Sequence, residues 1–185
     1  GLAITRRLSE LMGGGAGAAS TLGVGSIFWF TARLDKDHSP RLHVPVTPTH
    51  AEYLIFERHH GRRVLLVDDE SVNLEVAQYM LEDVGLVVDT AADGLQAIAR
   101  ARETNYAVIL MDMQMPNLDG VKATVQIRQI PECRRVPIVA MTANAFAEDK
   151  ARCLAGGMND FIAKPFSPDL LYSTLLKWLE QKTAS

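Results

Sequence analysis

Five short apolar runs alternate with five helix-patterned segments between residues 62 and 182. The runs are RVLLV, LVVDTA, AVILM, PIVAMT and DFIAK, and each precedes a stretch with apolar residues three or four positions apart. Because near-continuous apolar strands are typical of sheets buried on both faces, the alternation predicts a parallel sheet with helices on either side. The predicted fold class is α/β, a doubly wound sheet of five strands.

Composition divides the chain into three regions. Residues 1–34 hold a helix-patterned segment, a tract of small residues with a turn, and an alternating run around Ile27, which together indicate a small α+β unit. Residues 35–61 carry three prolines and little periodicity, which predicts a linker with one or two helical turns and with His59 and His60 in solvent. Residues 62–185 contain the predicted sheet.

Charge and hydropathy exclude two kinds of partner. The formal net charge is −3 and no basic stretch stands out, so nucleic-acid binding is not expected. No apolar run approaches the roughly 20 residues of a membrane span. We therefore expect this fragment in the cytoplasm without membrane contact, although a longer parent chain could be anchored in an inner membrane. Cys133 and Cys153 lack a metal-binding spacing and are predicted to be reduced thiols.

Polar side chains stand where four of the five predicted strands end. Asp68 and Asp69 follow the first strand, Asp112 ends the third, Thr142 the fourth and Lys164 the fifth. Ligands bind beyond the carboxyl ends of the strands in open parallel sheets, so these side chains are expected to converge. Clustered carboxylates repel one another unless a cation offsets them, and hard oxygen ligands favour Mg²⁺.

A metal ion and Lys164 on either side of one carboxylate would prepare a place for a phosphoryl group. Carboxylates act as nucleophiles in enzymes that form aspartyl phosphates. The two cations would offset charge on the phosphoryl oxygens, and the Thr142 hydroxyl could bond to a remaining oxygen. The pattern therefore indicates phosphoryl transfer to a carboxylate.

Four motifs in this order resemble the receiver domain of two-component response regulators. They are DD at 68–69, MDMQMPNLDG at 111–120, MTA at 141–143 and KPF at 164–166. Their separations match those of the family, and the similarity covers residues 62–182. The resemblance implies a flavodoxin-like sheet with strand order 2-1-3-4-5.

The resemblance implies a magnesium site built around the phosphoacceptor, Asp112. Asp69 and Asp112 would ligate Mg²⁺ directly, Asp68 would act through a water molecule, and Gln114 would contribute its backbone carbonyl. The side chains of Gln114 and Asn144 are expected to tune the lifetime of the phosphoryl group.

It also implies a conformational switch. Lys164, joined to Pro165 by a cis peptide bond, would bind the phosphoryl group together with Thr142. Thr142 and Phe161 would form the switch pair, in which the hydroxyl moves to the phosphate and the ring follows. The face made by the fourth helix, fifth strand and fifth helix of the receiver is the expected output surface.

Residues 1–34 resemble the C-terminal tail of a histidine-kinase ATP-binding domain through GLAITRRLSELMGG and GVGSIFWF. Only the end of the glycine-rich lid, the last helix and the last hairpin are matched, so kinase activity is not expected of this fragment. Kinase tail, linker and receiver together indicate the back half of a hybrid sensor histidine kinase. The expected partners are the phosphohistidine domain of a kinase and a histidine phosphotransfer protein.

Two alternatives from other classes are open. A haloacid-dehalogenase-type hydrolase requires a second Asp two residues after the nucleophile, where this chain has Gln114. A pseudo-receiver would dock partners without taking phosphate, yet such domains commonly lose an acidic residue or the lysine, and all are present here. A DNA-binding output domain is not expected, because few residues follow the fifth helix.

Overall fold

The computed structural model describes residues 2–23, 25–34, 49–143 and 147–181. The chain divides into two compact units between residues 46 and 47. Helix α1 (Leu2–Leu11) and the antiparallel strands β1 (Ala16–Thr21) and β2 (Gly25–Phe30) form the first unit. The small α+β character predicted for this region is therefore present.

The small-residue tract of the first unit forms a strand, where the sequence indicated a turn. Gly17 pairs with Trp29 across the hairpin, and a Cβ at Gly17 would lie 2.5 Å from the Trp29 ring. The missing side chain lets the indole lie across β1, which compensates for the poor intrinsic strand preference of the tract.

The one or two helical turns predicted within the linker form a helix of ten residues, longer than expected. Helix α2 (His50–His59) begins with a capping box in which Thr49 and Glu52 each accept a hydrogen bond from the other's backbone N–H. Ile55 is fully buried, and His59 is 3% exposed instead of solvated. Burial and the charge of Arg62 lower the pKa of His59, which keeps the ring neutral at pH 7.

The second unit contains a parallel sheet of five strands in the order β4-β3-β5-β6-β7. Counted along this unit the order is 2-1-3-4-5, which confirms the expected topology. The strands are β3 (Arg63–Val67), β4 (Val87–Ala91), β5 (Val108–Asp112), β6 (Ile138–Thr142) and β7 (Asp160–Ala163).

Helices follow the strands of the second unit in strict alternation. They are α3 (Ser71–Asp83), α4 (Gly94–Glu103), α5 (Gly120–Ile127), α6 (Ala147–Ala155) and α7 (Pro168–Gln181), with a short 3₁₀ helix at Pro131–Cys133. Within the described ranges, none of the helices combines the length and apolar composition that crossing a bilayer requires.

Successive residues of each strand pack on opposite sides of the sheet, because side chains alternate along a strand. Leu65, Ile109 and Ile138 pack with α4 and α5 on one side. Leu66 and Leu110 pack with α2, α3 and α7 on the other. Helix α2 therefore extends the second of these cores, and residues 50–59 belong to the same compact unit as the sheet.

We predict that Ile55→Ala lowers the free energy of unfolding by about 3 kcal/mol, because it opens a cavity in a fully buried position. Urea denaturation of the whole chain, followed by circular dichroism, measures the change. Arg58→Ala is the control, since its ion pair with Glu180 is exposed and should contribute below about 1 kcal/mol. Equal small effects of both variants would show that α2 is a linker after all.

Candidate functional site

Three strands end at one edge of the sheet in nearly buried polar side chains. Asp68 follows β3, Asp112 ends β5 and Thr142 ends β6, and they are 2%, 7% and 6% exposed. Lys164 follows β7, where its backbone N–H donates to the Thr142 carbonyl oxygen at 2.7 Å. The structure therefore brings these four residues together at the carboxyl edge of the sheet.

Lys164 links two carboxylates that come from different strands. Its ammonium group donates to Asp68 Oδ2 at 2.5 Å and to Asp112 Oδ2 at 2.8 Å. The peptide bond from Lys164 to Pro165 is cis, which is the geometry that the family resemblance implies. Charge-assisted hydrogen bonds of this length are strong, and here they join the ends of three strands.

Burial and charge act in opposite directions on this bridge. Burial raises the pKa of the Asp112 carboxyl, and the hydrogen bond and charge of Lys164 offset only part of that effect. Burial favours the neutral form of Lys164, but its hydrogen bonds to Asp112 and Asp68 outweigh this and raise the pKa of Lys164. The lysine is therefore charged at neutral pH, and the buried carboxylates benefit from every nearby cation.

The first turn of α3 fixes the orientation of Asp68. Its Oδ1 accepts hydrogen bonds from the backbone N–H of Glu70 at 3.0 Å and from the side-chain amide of Asn73 at 3.2 Å. Asp69, next in the chain, is exposed and lines an open cavity. The two adjacent acids thus have different environments, one held by the protein and one facing solvent.

The donor set at this edge fits a hard divalent cation. One carboxylate oxygen each of Asp68, Asp69 and Asp112 lies within 4.8 Å of the others. Mg²⁺ prefers oxygen ligands and retains several waters where few protein ligands are offered, so three carboxylates beside an open cavity suit it. The backbone N–H of Gln114 donates to Asp112 Oδ1 at 3.3 Å, which places this residue at the same edge.

Gly120 allows helix α5 to begin directly against the backbone of Asp112. A Cβ at this position would lie 2.1 Å from the Asp112 carbonyl oxygen, closer than any side chain permits. Asp119 caps the helix by accepting from the Lys122 backbone N–H at 2.8 Å. The Asp-Gly pair at the end of the MDMQMPNLDG motif therefore positions the segment that carries Asp112.

Two residues that the sequence did not assign to the site hold the loop between β5 and α5. Asn117 has a positive φ of 63°, and its side-chain amide donates to Asp93 Oδ2 at 3.0 Å. Asp93 Oδ1 also caps α4 through the Gln96 backbone N–H at 2.8 Å. Both bonds favour the ionised carboxylate and lower the pKa of Asp93. The cap was readable from the sequence, but no local pattern links Asp93 to Asn117.

Open space borders the site on two sides. A cavity of about 570 Å³ is lined by Asp69, Gln114, Thr142 and Arg152, among others. A second cavity of about 350 Å³ is bounded by Lys164 and by apolar side chains of α3. A small solute can therefore reach this edge of the sheet without any movement of the core.

The predicted switch residues lie on one side of the sheet. Phe161 pairs with Ala140 across β6 and β7, two residues before Thr142, so the side chains of Thr142 and Phe161 share a face. Phe161 is half-buried and packs against the core cluster of that side. Asn144, expected to tune phosphoryl lifetime, lies outside the described residues.

The sequence model of the response regulator receiver domain matches residues 64–176. Among curated proteins, the chain is 39% identical over 115 residues to the signal transduction histidine-protein kinase BarA of Escherichia coli, covering 62% of this chain and 12% of BarA. It is 37% identical over 188 residues to two-component system protein A of Emericella nidulans, covering 96% of this chain and 27% of that protein. The chain thus spans a small part of these relatives.

Solved structures similar to this chain include a receiver domain and a response regulator. The receiver domain of a sensor histidine kinase from Pseudomonas aeruginosa, with a magnesium ion coordinated in its active-site cleft, is 46% identical. The match has a TM-score of 0.62 and covers 65% of this chain and 98% of that one. A chemotaxis response regulator of Vibrio cholerae is 32% identical with a TM-score of 0.62, and the match covers 64% of this chain and 98% of the other.

We predict that Asp93→Ala lowers the free energy of unfolding by about 1 kcal/mol at neutral pH, the usual value of a lost helix cap. Because folding lowers the pKa of Asp93, its contribution is present above the unfolded-state value of about 4 and disappears as the pH falls through the folded-state value. The difference from the unaltered protein should therefore shrink in acid.

Urea denaturation at several pH values measures this difference. Glu103→Ala is the matched control, because Glu103 is an exposed carboxylate on the same helix. A difference at Asp93 that does not vary with pH would contradict a role for its charge.

Proposed function

Because this chain belongs to the response regulator receiver domain family, we propose that its second unit accepts a phosphoryl group on Asp112 as one step of a two-component phosphorelay. One observation supports this above all. Asp112 is a nearly buried carboxylate, hydrogen-bonded to Lys164, at an edge where two further carboxylates and an open cavity meet.

The proposed reaction moves a phosphoryl group from a histidine nitrogen to a carboxylate oxygen. An oxygen of Asp112 attacks phosphorus and forms the O–P bond, while the N–P bond of the donor breaks and its electron pair returns to the imidazole. Lys164 remains hydrogen-bonded at the site and balances charge on the phosphoryl oxygens. The chain supplies positioning and charge, which is what catalysis of phosphoryl transfer mainly requires.

Asp69, Asp112, Asp68 through water and the Gln114 carbonyl would hold Mg²⁺ in this proposal. The ion, when bound, would neutralise negative charge on the phosphoryl group. The oxygen ligands within 4.8 Å of one another support the assignment, and the magnesium in the Pseudomonas receiver domain adds a precedent. Asp68 differs from Asp69 in that Lys164 and Asn73 already occupy its oxygens, which suits an indirect role.

Thr142 and Phe161 are proposed to carry the conformational response. Thr142 lines the cavity beside Asp69, and Phe161 lies on the same face of the neighbouring strand. Movement of the Thr142 hydroxyl toward a phosphoryl group would leave space for the half-buried ring. Helix α6, strand β7 and helix α7 would then repack, and this face would be the output surface.

The proposed partners are proteins that carry a phosphohistidine: the kinase domain of a parent hybrid kinase and a histidine phosphotransfer protein. Helix α3 offers them an apolar approach beside the site, since Val72, Val76 and Tyr79 are 68%, 56% and 72% exposed at helical spacing. Residues 1–34 are proposed to be the end of the parent's ATP-binding domain. The match to the Emericella two-component system protein extends over 96% of the chain, so it includes most of these residues as well as the receiver domain.

We predict that Asp112→Asn abolishes labelling by acetyl phosphate and Mg²⁺, because the amide cannot act as the nucleophile. Intact-mass spectrometry should detect one hydroxylamine-sensitive phosphoryl group on the unaltered protein and none on the variant, with circular dichroism unchanged. Asp169→Asn, an exposed acid in the first turn of α7, is the control and should be labelled normally. Labelling of Asp112→Asn would rule out Asp112 as the phosphoacceptor. Absence of labelling in the unaltered protein would favour the pseudo-receiver alternative.

A further inference from the structure

Arg152 brings a second cationic side chain to the carboxylate cluster, at the cavity that Asp69 lines. It projects from α6 and lines the same space of about 570 Å³ as Asp69, Gln114 and Thr142. Lys164 does not line that space; it borders the smaller cavity of about 350 Å³ on the α3 side. The two cations therefore flank the carboxylate edge from different sides.

The charge of Arg152 acts on Asp119, a carboxylate that lines the same cavity. Burial raises the pKa of Asp119, but hydrogen bonds from Lys122 and the charges of Lys122 and Arg152 outweigh it, so that the pKa is lowered. Asp119 lines the same cavity and caps the helix that begins against Asp112. A guanidinium group that lines this cavity and acts on Asp119 also acts on other anions within the cavity.

A phosphorylated site would carry a net negative charge that a further cation could offset. The formal charges of Asp68 and Asp69 sum to two negative charges, and a phosphoryl group on Asp112 would add about two more near neutral pH. Lys164 offsets one of these charges and a divalent cation two, which leaves about one in excess. Arginine suits this deficit, because its planar group binds phosphate oxygens in pairs and remains charged at every relevant pH.

We propose that Arg152 is a phosphoryl-binding residue, which attracts the phosphoryl group into the cavity and contacts its oxygens during transfer to Asp112. The inference rests on the proposed function of Asp112 and adds a residue that the four sequence motifs do not contain. The positive charge of Arg152 favours anions and opposes metal cations in the same cavity.

Arg152→Ala tests the proposal on the whole chain with two readouts. The initial rate of labelling by acetyl phosphate, measured by mass spectrometry, should fall about five-fold or more, and its dependence on salt should weaken because a steering charge is lost. Mg²⁺ affinity without donor, followed by nuclear magnetic resonance titration, should stay equal or rise about two-fold. Alanine is the best helix former, so α6 is not expected to loosen. Arg152→Lys should recover part of the rate.

Arg134→Ala is the matched control. It removes the same charge from an exposed residue that precedes β6, at the opposite edge of the sheet, and should leave both readouts within about two-fold. Normal labelling of Arg152→Ala would overturn the proposal and leave the role of Asp112 intact. Parallel losses of labelling, Mg²⁺ affinity and melting temperature would overturn it in favour of a purely structural role. No labelling of the unaltered protein would overturn both proposals.

Discussion

The hydrogen bonds of Lys164 to two buried carboxylates are the interaction on which the site depends. Asp68 and Asp112 belong to different strands and are only 2% and 7% exposed, so an ammonium group hydrogen-bonded to both offsets part of the cost of burying their charge. Removal of one partner from a buried ion pair typically costs about 3–5 kcal/mol, because it leaves an uncompensated charge. The bridge therefore joins the ends of β3, β5 and β7 and favours the charged form of Asp112.

The remaining features of the site position that carboxylate at an edge of the sheet beside an open cavity. Gly120 lets α5 start against the Asp112 backbone, and the bond between Asn117 and Asp93 holds the intervening loop to α4. The cavity beside Asp69 then gives solutes access to the carboxylate edge, with Thr142 and Arg152 on its wall. A rigid sheet, a tethered loop and an open cavity together suit a site that exchanges phosphoryl groups with partners.

The sheet and its site residues were predictable because both follow from repeated patterns. Apolar strands alternating with helices lead to a parallel sheet, and the carboxyl ends of its strands must meet at one edge, which places Asp68, Asp112 and Lys164 together. Helix α2 was predicted only as one or two turns, because only Ile55 and His59 are buried in it, too few to produce a clear periodicity. Local composition did not indicate the strand at Ala16–Thr21, because its small residues gain their packing from Trp29 on the neighbouring strand. The contact of Asn117 with Asp93 and the position of Arg152 depend on tertiary structure, which no local pattern encodes.

The role of Asp112 as phosphoacceptor is tested most directly by identifying the residue that carries the phosphoryl group. After reaction with acetyl phosphate and Mg²⁺, borohydride reduces an aspartyl phosphate to homoserine, and peptide mass spectrometry identifies the altered residue. If Asp112 is the phosphoacceptor, position 112 will carry homoserine and positions 68 and 69 will carry unmodified aspartate. Homoserine at either of those positions, or at none of the three in a protein that carries the label, would contradict this role.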